Sequence, residues 1–540
     1  MNISQWLGYP AALDRMLSMV GIELHWVILQ YVLGLPLIVL IALLIYAKTK
    51  NEHFLKVART SVKALGIVFA VGAASGTLSE FGLVVIWPNL LEAAGRYIFF
   101  PLYVEIFAFL IEIIFIYSLV FGWNKLGTWA KVTFALLALF GAWFSGALIM
   151  SVNSYMVAPT GIFPAYDPFG GWKYDQGYPK VLLVIPDQML GALEVDKLKS
   201  LGMEVIGRRE YGVAVLLPSK IVSRLVSEAW GGVKVEESVL SAVIRIDALE
   251  GLKGVLVKDV IDAIVTNTVR SVGYTVVTFV SPVFFGSVLH AWGSAVTVTG
   301  FTVMGAYSLL LLRTGGRERD YYLSGLKFGL AVSLIAVISQ GLVFGHALGT
   351  EIAKYNPEKL AAMEGVSGRI FSLSKSLGIE GIMSFISYGS WEAKLPNYDA
   401  IPTDYCTLAG VPRVVDCRPP IMIHYLYYTK TGLSVLLGLY SLVYAFMVFV
   451  KGIALSPLTL KLNVVTPLIA QLVSFLGWAV REMGRKPWSI YGVMTVDVAH
   501  TANPGDPLSY ALLSLLLILV GVALTVTAWK LLYEPSVKGV

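Results

Sequence analysis

Charge is scarce in this chain. Asp, Glu, Lys and Arg make up 14% of its 540 residues, where a soluble domain carries roughly 25%. That shortage excludes an ordinary soluble enzyme. Lys and Arg exceed Asp and Glu by six, yet they stand mostly in short loops beside apolar runs, so the excess is not the patch of a nucleic-acid binder. Cysteine is almost missing: Cys406 and Cys417 allow one disulfide and no second. Short-period repeats and low-complexity tracts are absent too. The first apolar run does not read as a cleavable leader, because it is long, lacks a basic start and ends in "IYAKTKNEH".

What is present is apolar. The chain is 56% hydrophobic with mean hydropathy +0.73, and its apolar runs recur near the length that crosses a bilayer's hydrocarbon core. The pattern predicts an all-α polytopic membrane protein of about nine transmembrane helices, seated in a lipid bilayer, with an inserted small extracytoplasmic α/β domain. The spans fall near 22–46, 62–86, 98–122, 131–153, 278–312, 327–348, 429–450, 464–481 and 508–532. Lys48, Lys50, Lys56, Arg59 and Lys63 join spans one and two; Lys125 and Lys131 join three and four. Arg313, Arg317, Arg319 and Lys327 join five and six, and Lys451 and Lys461 join seven and eight. Positive loops mark the cytoplasmic side, which places the N-terminus and residues 154–277 and 349–428 outside, on a plasma-membrane protein. The organisation is 1–160, four helices; 161–275, the insertion; 276–348, two helices; 349–428, an external loop; and 429–540, three helices.

Within the insertion, "KVLLVIP" reads as a strand, "EVDKLKSLG" as a helix and "MEVIGRREYGVAVLLP" as a strand or hairpin. "SKIVSRLVSEAWG" reads as a second helix and "VKVEESVLSAVIRI" as a further strand. It carries no phosphate loop, metal-ligand cluster or nucleophile motif, so it reads as a docking or protective domain rather than a catalytic one. The external loop holds both cysteines, which on an oxidising side are expected to pair.

Charges inside a bilayer are expensive and mark function. Glu80 lies in "GAASGTLSEFG" of span two, and Glu105 and Glu112 in "PLYVEIFAFLIEIIF" of span three. Seven residues is two helical turns, so Glu105 and Glu112 share a face and can serve as steps of a proton path; the alternative is polar glue between helices. His25 in "GIELHWVILQ" and His290 in "GSVLHAWGSAV" are flanked by apolar helix. Periodicity leaves two readings open for them, hydrogen-bonded core residues or ligands of haem iron. Against this background "YNPEKLAAMEG", residues 355–365, stands out as polar and helix-prone between apolar blocks.

Several stretches, in one order, resemble subunit I of cytochrome bd-type quinol:oxygen oxidoreductases. Arg15 precedes His25 at the family spacing; "GAASGTLSEFGLVVIW" is similar to the second-span motif, and "PLYVEIFAFLIEIIFIYSLVFGWNKLG" to the acidic third span. "GWAVREMGRKPWSIYGVM" is similar to the segment beside the haems, and "NPEKLAAMEG" to the heart of the quinol-binding loop. The likeness runs from about residue 10 to the C-terminus, with the 160–275 region largely additional.

The resemblance implies a subunit that oxidises quinol on the outer face and passes electrons through a low-spin haem b to a high-spin haem pair. That pair, of haem d or a further haem b, reduces oxygen to water, with a second membrane subunit alongside. It implies His25 as an axial ligand of the high-spin pair and His290 as one ligand of the low-spin haem. Glu80, Glu105 and Glu112 would deliver protons, Lys359 and Glu364 would contact quinol, and Arg15, Arg485 and Trp488 would support the haems.

Two departures stand out. The family's low-spin methionine ligand falls, on our count, at Tyr428, so His424 one turn earlier is expected as the sixth ligand. The glutamate that holds the second high-spin haem falls at Phe475, which cannot bind iron. Two haems are therefore expected rather than three, with Glu23 beside His25 as the reserve ligand if a third is held. The alternative is a degenerate paralogue acting as a scaffold or partial haem relay beside a complete subunit I.

Overall fold

The computed structural model describes residues 12–210, 212–231, 243–248, 274–313, 318–364, 376–378, 380–406, 416–452 and 456–499, with isolated positions beyond. Among them eight helices are long and apolar enough to cross a membrane. The expected ninth, 508–532, lies outside the described residues, as does most of the strand expected from "VKVEESVLSAVIRI".

Four helices come first: α1 (Ala12–Thr49), α2 (Glu52–Ile86), α3 (Pro88–Gly122) and α4 (Thr128–Val157). The insertion follows. A two-residue strand β1 (Ile162–Phe163) and a small hairpin of β2 (Tyr166–Asp167) and β3 (Gly171–Trp172) precede β4 (Lys180–Pro186) and helix α5 (Val195–Ser200). The hairpin strands β5 (Glu204–Arg209) and β6 (Gly212–Pro218) lead into α6 (Ser219–Gly231). The sheet order is β1-β4-β6-β5, antiparallel throughout, with Val181 opposite Leu217 and Val184 opposite Ala214. Alternate residues of β4 and β6 fill a core that continues into Tyr97, Met156 and Ile490. The domain is thus packed onto the helix ends rather than tethered to them.

The second half contains α7 (Phe284–Arg313) and α8 (Arg319–Ser339). A π turn (Gln340–Phe344) joins α8 to α9 (Gly345–Tyr355), making one rod. Then come α10 (Pro357–Glu364), α11 (Met422–Ala445) and α12 (Pro457–Gly484), and a final hairpin of β7 (Trp488–Ile490) and β8 (Met494–Thr495). Several boundaries differ from the sequence reading: the second span starts at Glu52 rather than 62, the third at Pro88 rather than 98 and the eighth at Pro457 rather than 464. The fifth span starts at Phe284, after Ser281 and Pro282 break the helix, and the sixth runs on from Arg319 to Tyr355. The seventh starts at Met422, not 429, because the aromatic run "MIHYLYY" continues the helix beyond the purely aliphatic stretch.

Small residues bring the helices close, as packing in lipid requires. A Cβ on Gly34 of α1 would overlap Thr299 of α7, and one on Gly329 of α8 would stand 2.4 Å from the Met304 backbone of α7. These contacts, with those of α7 on α12 and α11 on α12, hold the surroundings of His25 and His290 rigid.

Candidate functional site

The polar helix α10 is wholly buried. Pro357 to Glu364 are all enclosed, so its charges face protein rather than solvent. Lys359 and Glu364 do not pair with each other. Five residues is about 500° of helix, leaving them on different faces. The Lys359 side chain runs across Gly484, where a Cβ would lie 2.6 Å from its Cδ and Cε. Glu364 Oε2 instead accepts a hydrogen bond from the Tyr428 hydroxyl at 2.9 Å. Glu358, on a third face, accepts from the Tyr491 and Tyr174 hydroxyls at 2.7 and 3.0 Å. Sequence reading passed over Glu358 because nothing local distinguishes it; its partners are 184 and 133 residues away.

Burial dominates the electrostatics. It drives the Lys359 ammonium down to about 7, helped by the positive charge of Arg481. It drives the Glu364 carboxyl up to about 7, against the Tyr428 bond, which favours the carboxylate. Glu358 is raised as well, with its two tyrosine bonds opposing. A cation and an acid that both exchange protons near neutrality therefore stand on one short helix.

The neighbour of Lys359 is a cluster of charges at the end of α12. Arg481 donates to Asn153 Oδ1 at 2.5 Å and Ser287 Oγ at 2.9 Å. Glu482 takes Arg485 Nη2 at 2.5 Å and Asn153 Nδ2 at 2.8 Å. Arg485 also donates to the Ser489 carbonyl, while its Nε is buried without a partner. Arg481 and Glu482 were not singled out from sequence, although their spacing of four and three residues before Arg485 puts all three at one helix end. Trp488, next to the cluster, is buried and donates to the Tyr405 hydroxyl at 3.3 Å. Arg15 is in α1, but its side chain lies outside the described residues.

His25 and His290 stand on α1 and α7. The Nδ1 of His25 is 3.0 Å from Ser75 Oγ, and that of His290 is 3.0 Å from Gln340 Nε2. Among the described residues no hydrogen bond is made by either Nε2. Each ring is held by one nitrogen with the other available, the arrangement of an iron-ligating imidazole. Between α1, α7, α8 and α12 lie buried polar atoms without partners: Glu23 Oε2, both amide atoms of Gln30, Trp292 Nε1, Gln340 Oε1 and Trp478 Nε1. Native interiors seldom leave such groups unpaired. These orphaned polar atoms, two imidazoles with a free nitrogen and the buried cations Lys359, Arg481 and Arg485 fit a macrocycle with anionic side arms. No three His, Cys, Asp or Glu among the described residues converge on a bare metal ion, and haem, which brings its own four nitrogens, needs only axial ligands.

His424 lies at the first turn of α11. It is buried, its Nδ1 is 2.9 Å from the Met363 carbonyl, and its ring packs 4.8 Å from that of Tyr428. Both residues therefore face α10. Phe475 is exposed on α12, and the adjacent Ser474 is the residue facing inward, accepting from Trp26 Nε1 and Ser294 Oγ at 3.0 Å each.

The three acids form a row on the other half of the bundle. Glu105 accepts from Ser145 Oγ at 2.8 Å and lies within electrostatic reach of both Glu80 and Glu112. Glu112 is buried against Gly141 of α4, where a side chain would collide with its Cγ. Glu80, in the small-residue stretch of α2, is exposed. The disulfide expected in the external loop is present between Cys406 and Cys417, with Cα atoms 5.6 Å apart.

Residues 13–174 and 262–540 match the profile described as cytochrome bd terminal oxidase subunit I. Among curated relatives, the putative cytochrome bd menaquinol oxidase subunit I of Bacillus subtilis (strain 168) is 22% identical over 493 residues, covering 87% of this chain and 85% of the relative. The cytochrome bd ubiquinol oxidase subunit 1 of the same organism is 21% identical, covering 89% and 83%. The solved structure of bd oxidase from Geobacillus thermodenitrificans shares the fold, with TM-score 0.67 at 20% identity over 97% of this chain and 99% of that one.

Proposed function

The chain belongs to the cytochrome bd terminal oxidase subunit I family, and from that premise we propose that it is the haem-bearing, quinol-oxidising subunit of a membrane oxidase that reduces oxygen to water. What carries this reading is the placement of Lys359. One side chain joins the buried polar helix to the Arg481–Glu482–Arg485 cluster, and its charge reaches His290. A site for a proton-releasing substrate and a site for a haem are thus built from adjacent residues.

Haem, when bound, would supply one-electron redox chemistry, which couples oxidation of a two-electron quinol to reduction of oxygen. His290 would hold a haem b and His25 a second haem, of type b or d. Arg481 and Arg485 would neutralise anionic side arms, with Trp488 packed beside them. Glu364, as carboxylate, accepts a proton from a quinol hydroxyl, and Lys359, as ammonium, steadies the oxygen on which negative charge grows. Tyr428 orients the Glu364 carboxyl. Glu80, Glu105 and Glu112 pass protons toward the His25 region, with Ser145 fixing the middle acid. The exposed Glu80 puts the start of this row on the surface that a second membrane subunit covers. The α/β insertion, α10 and the N-terminus face outward from a plasma membrane, opposite the basic loops.

Phe475 favours keeping a second reading. It supplies no ligand, so a chain holding fewer haems than the family norm can act as a relay or scaffold beside a complete subunit I. Oxygen uptake with reduced quinol, measured on the isolated chain and on its complex alongside a pyridine haemochrome count, separates the two. Turnover by the complex containing only this type of subunit I supports the oxidase; uptake that requires a second, complete subunit I supports the relay. No uptake and no bound haem in either preparation overturns both.

A further inference from the structure

We propose that Lys430 supplies the sixth ligand, a neutral amine nitrogen, to the haem iron held by His290. This rests on the haem-bearing reading above and departs from the sequence expectation of His424 at that position.

Helix α11 presents two distinct faces. His424 and Tyr428, one turn apart, point to α10, bonded to the Met363 carbonyl and to Glu364. Lys430 stands about 200° round the helix from Tyr428. Its chain runs instead along α12, where a Cβ on Gly477 would meet Lys430 Cδ at 3.9 Å and nothing nearer. Gly477 therefore leaves a side-chain-free strip beside the lysine. Ser474, three residues before Gly477 on α12, accepts at 3.0 Å from Ser294 Oγ, one turn beyond His290 on α7. Lysine and imidazole thus reach toward one region from facing elements. Both side chains are partly buried.

Lys430 also lacks the partner that a membrane lysine requires. Among the described residues it forms no ion pair; its nearest named contact is the Tyr427 ring, 5.6 Å from Nζ. An unpaired ammonium inside a membrane protein is expensive and marks function. As a free amine, its lone pair is a nitrogen donor of the same kind as imidazole. On α7 the His290 ring is anchored through Nδ1 to Gln340, which leaves its Nε2 free to bind iron.

The test uses the purified membrane complex and reads spin state rather than turnover. Ferric and reduced spectra, low-temperature EPR and carbon monoxide binding are compared for wild type, Lys430→Ala, Lys430→Met, His424→Ala and His290→Ala, each with a haemochrome count. Lys430→Ala should keep the haem count, turn one low-spin haem high-spin and make that haem bind carbon monoxide. Lys430→Met, which offers a thioether at the same place, should restore a low-spin iron with a sulfur-ligand spectrum and also shows that the site still folds. His424→Ala should leave the spectrum alone. If Lys430→Ala keeps every low-spin haem, or if His424→Ala produces the high-spin conversion instead, the lysine is not the ligand. If His290→Ala changes neither haem count nor spectrum, the haem site itself is misplaced and the functional reading fails with it.

Discussion

Helices α10 and α3 invert each other. The first has the more polar sequence, lies outside the membrane and is buried to the last residue, with Glu358 and Glu364 at 1% exposure. The second is mostly apolar around its few charges, is long and apolar enough to cross a membrane, and turns Phe107 and Phe121 outward at 66% and 80% exposure. In lipid, apolar surface has no reason to hide, so burial reports packing and function rather than hydropathy. A charged helix enclosed by protein bears the desolvation cost of its charges, as functional sites do. An apolar helix with bulky outward side chains is holding surface for lipid or for a partner subunit.

The contrast can be broken most severely at Glu364. Glu364→Ala should lower quinol turnover by roughly 10²- to 10⁴-fold, the range for loss of a positioned acid or base, with the haem spectrum unchanged; unchanged turnover and apparent quinol affinity would move the site elsewhere. Glu364 carries this test better than Lys359, whose chain also packs on the haem-side cluster. Glu112→Gln should come next, slowing oxygen reduction by about 10²-fold while single-turnover quinol oxidation stays normal; a stopped-flow comparison of the two half-reactions decides.

The pH dependence sharpens the comparison further. If Glu364 acts as carboxylate and Lys359 as ammonium, both with exchange near 7, kcat/KM for quinol should follow a narrow bell centred there. Tyr428→Phe removes the bond that favours the carboxylate. It should move the ascending limb up by about one pH unit, the scale of a hydrogen bond to a charged group; a shift downward would contradict the geometry. Folding stability carries opposite signs at the two residues. Glu364, raised in the fold, lowers stability as pH climbs from the ordinary carboxylate range through 7, whereas Lys359, lowered in the fold, gives stability that increases above 7 toward the ordinary lysine range. The smallest effect belongs to α3. Phe107→Ala should change the melting of the isolated chain by less than about 0.5 kcal/mol, and a larger loss in the complex would locate the partner's footprint.

Sequence gave access to the spans, the strands of the insertion and the identity of α10, because hydropathy and alternation are local. "KVLLVIP" is strand β4 to the residue. It could not give the start of α11, since His424 and Tyr428 interrupt the aliphatic run while still suiting a helix that packs on α10. Nor could it find Glu358, Arg481 or Lys430 as members of a site. Each acquires meaning from a partner more than a hundred residues away, such as Tyr174 for Glu358 or Asn153 for Arg481. The sidedness of Phe475 was likewise invisible: a phenylalanine in an apolar helix reads the same whether it faces lipid or core.

One junction has a consequence for modularity. Tyr166 and Trp172 of the small hairpin donate to the carbonyls of Lys394 and Asn397, and Tyr174 closes on Glu358. The family profile runs through residue 174 and resumes at 262. These three aromatic bolts therefore stand on the shared side of the seam, and the passenger that begins after them can be exchanged only for one that still covers Tyr97, Met156 and Ile490, while the bolts keep the polar helix seated. A cut placed only a dozen residues earlier, at the start of β1, would carry them away with it.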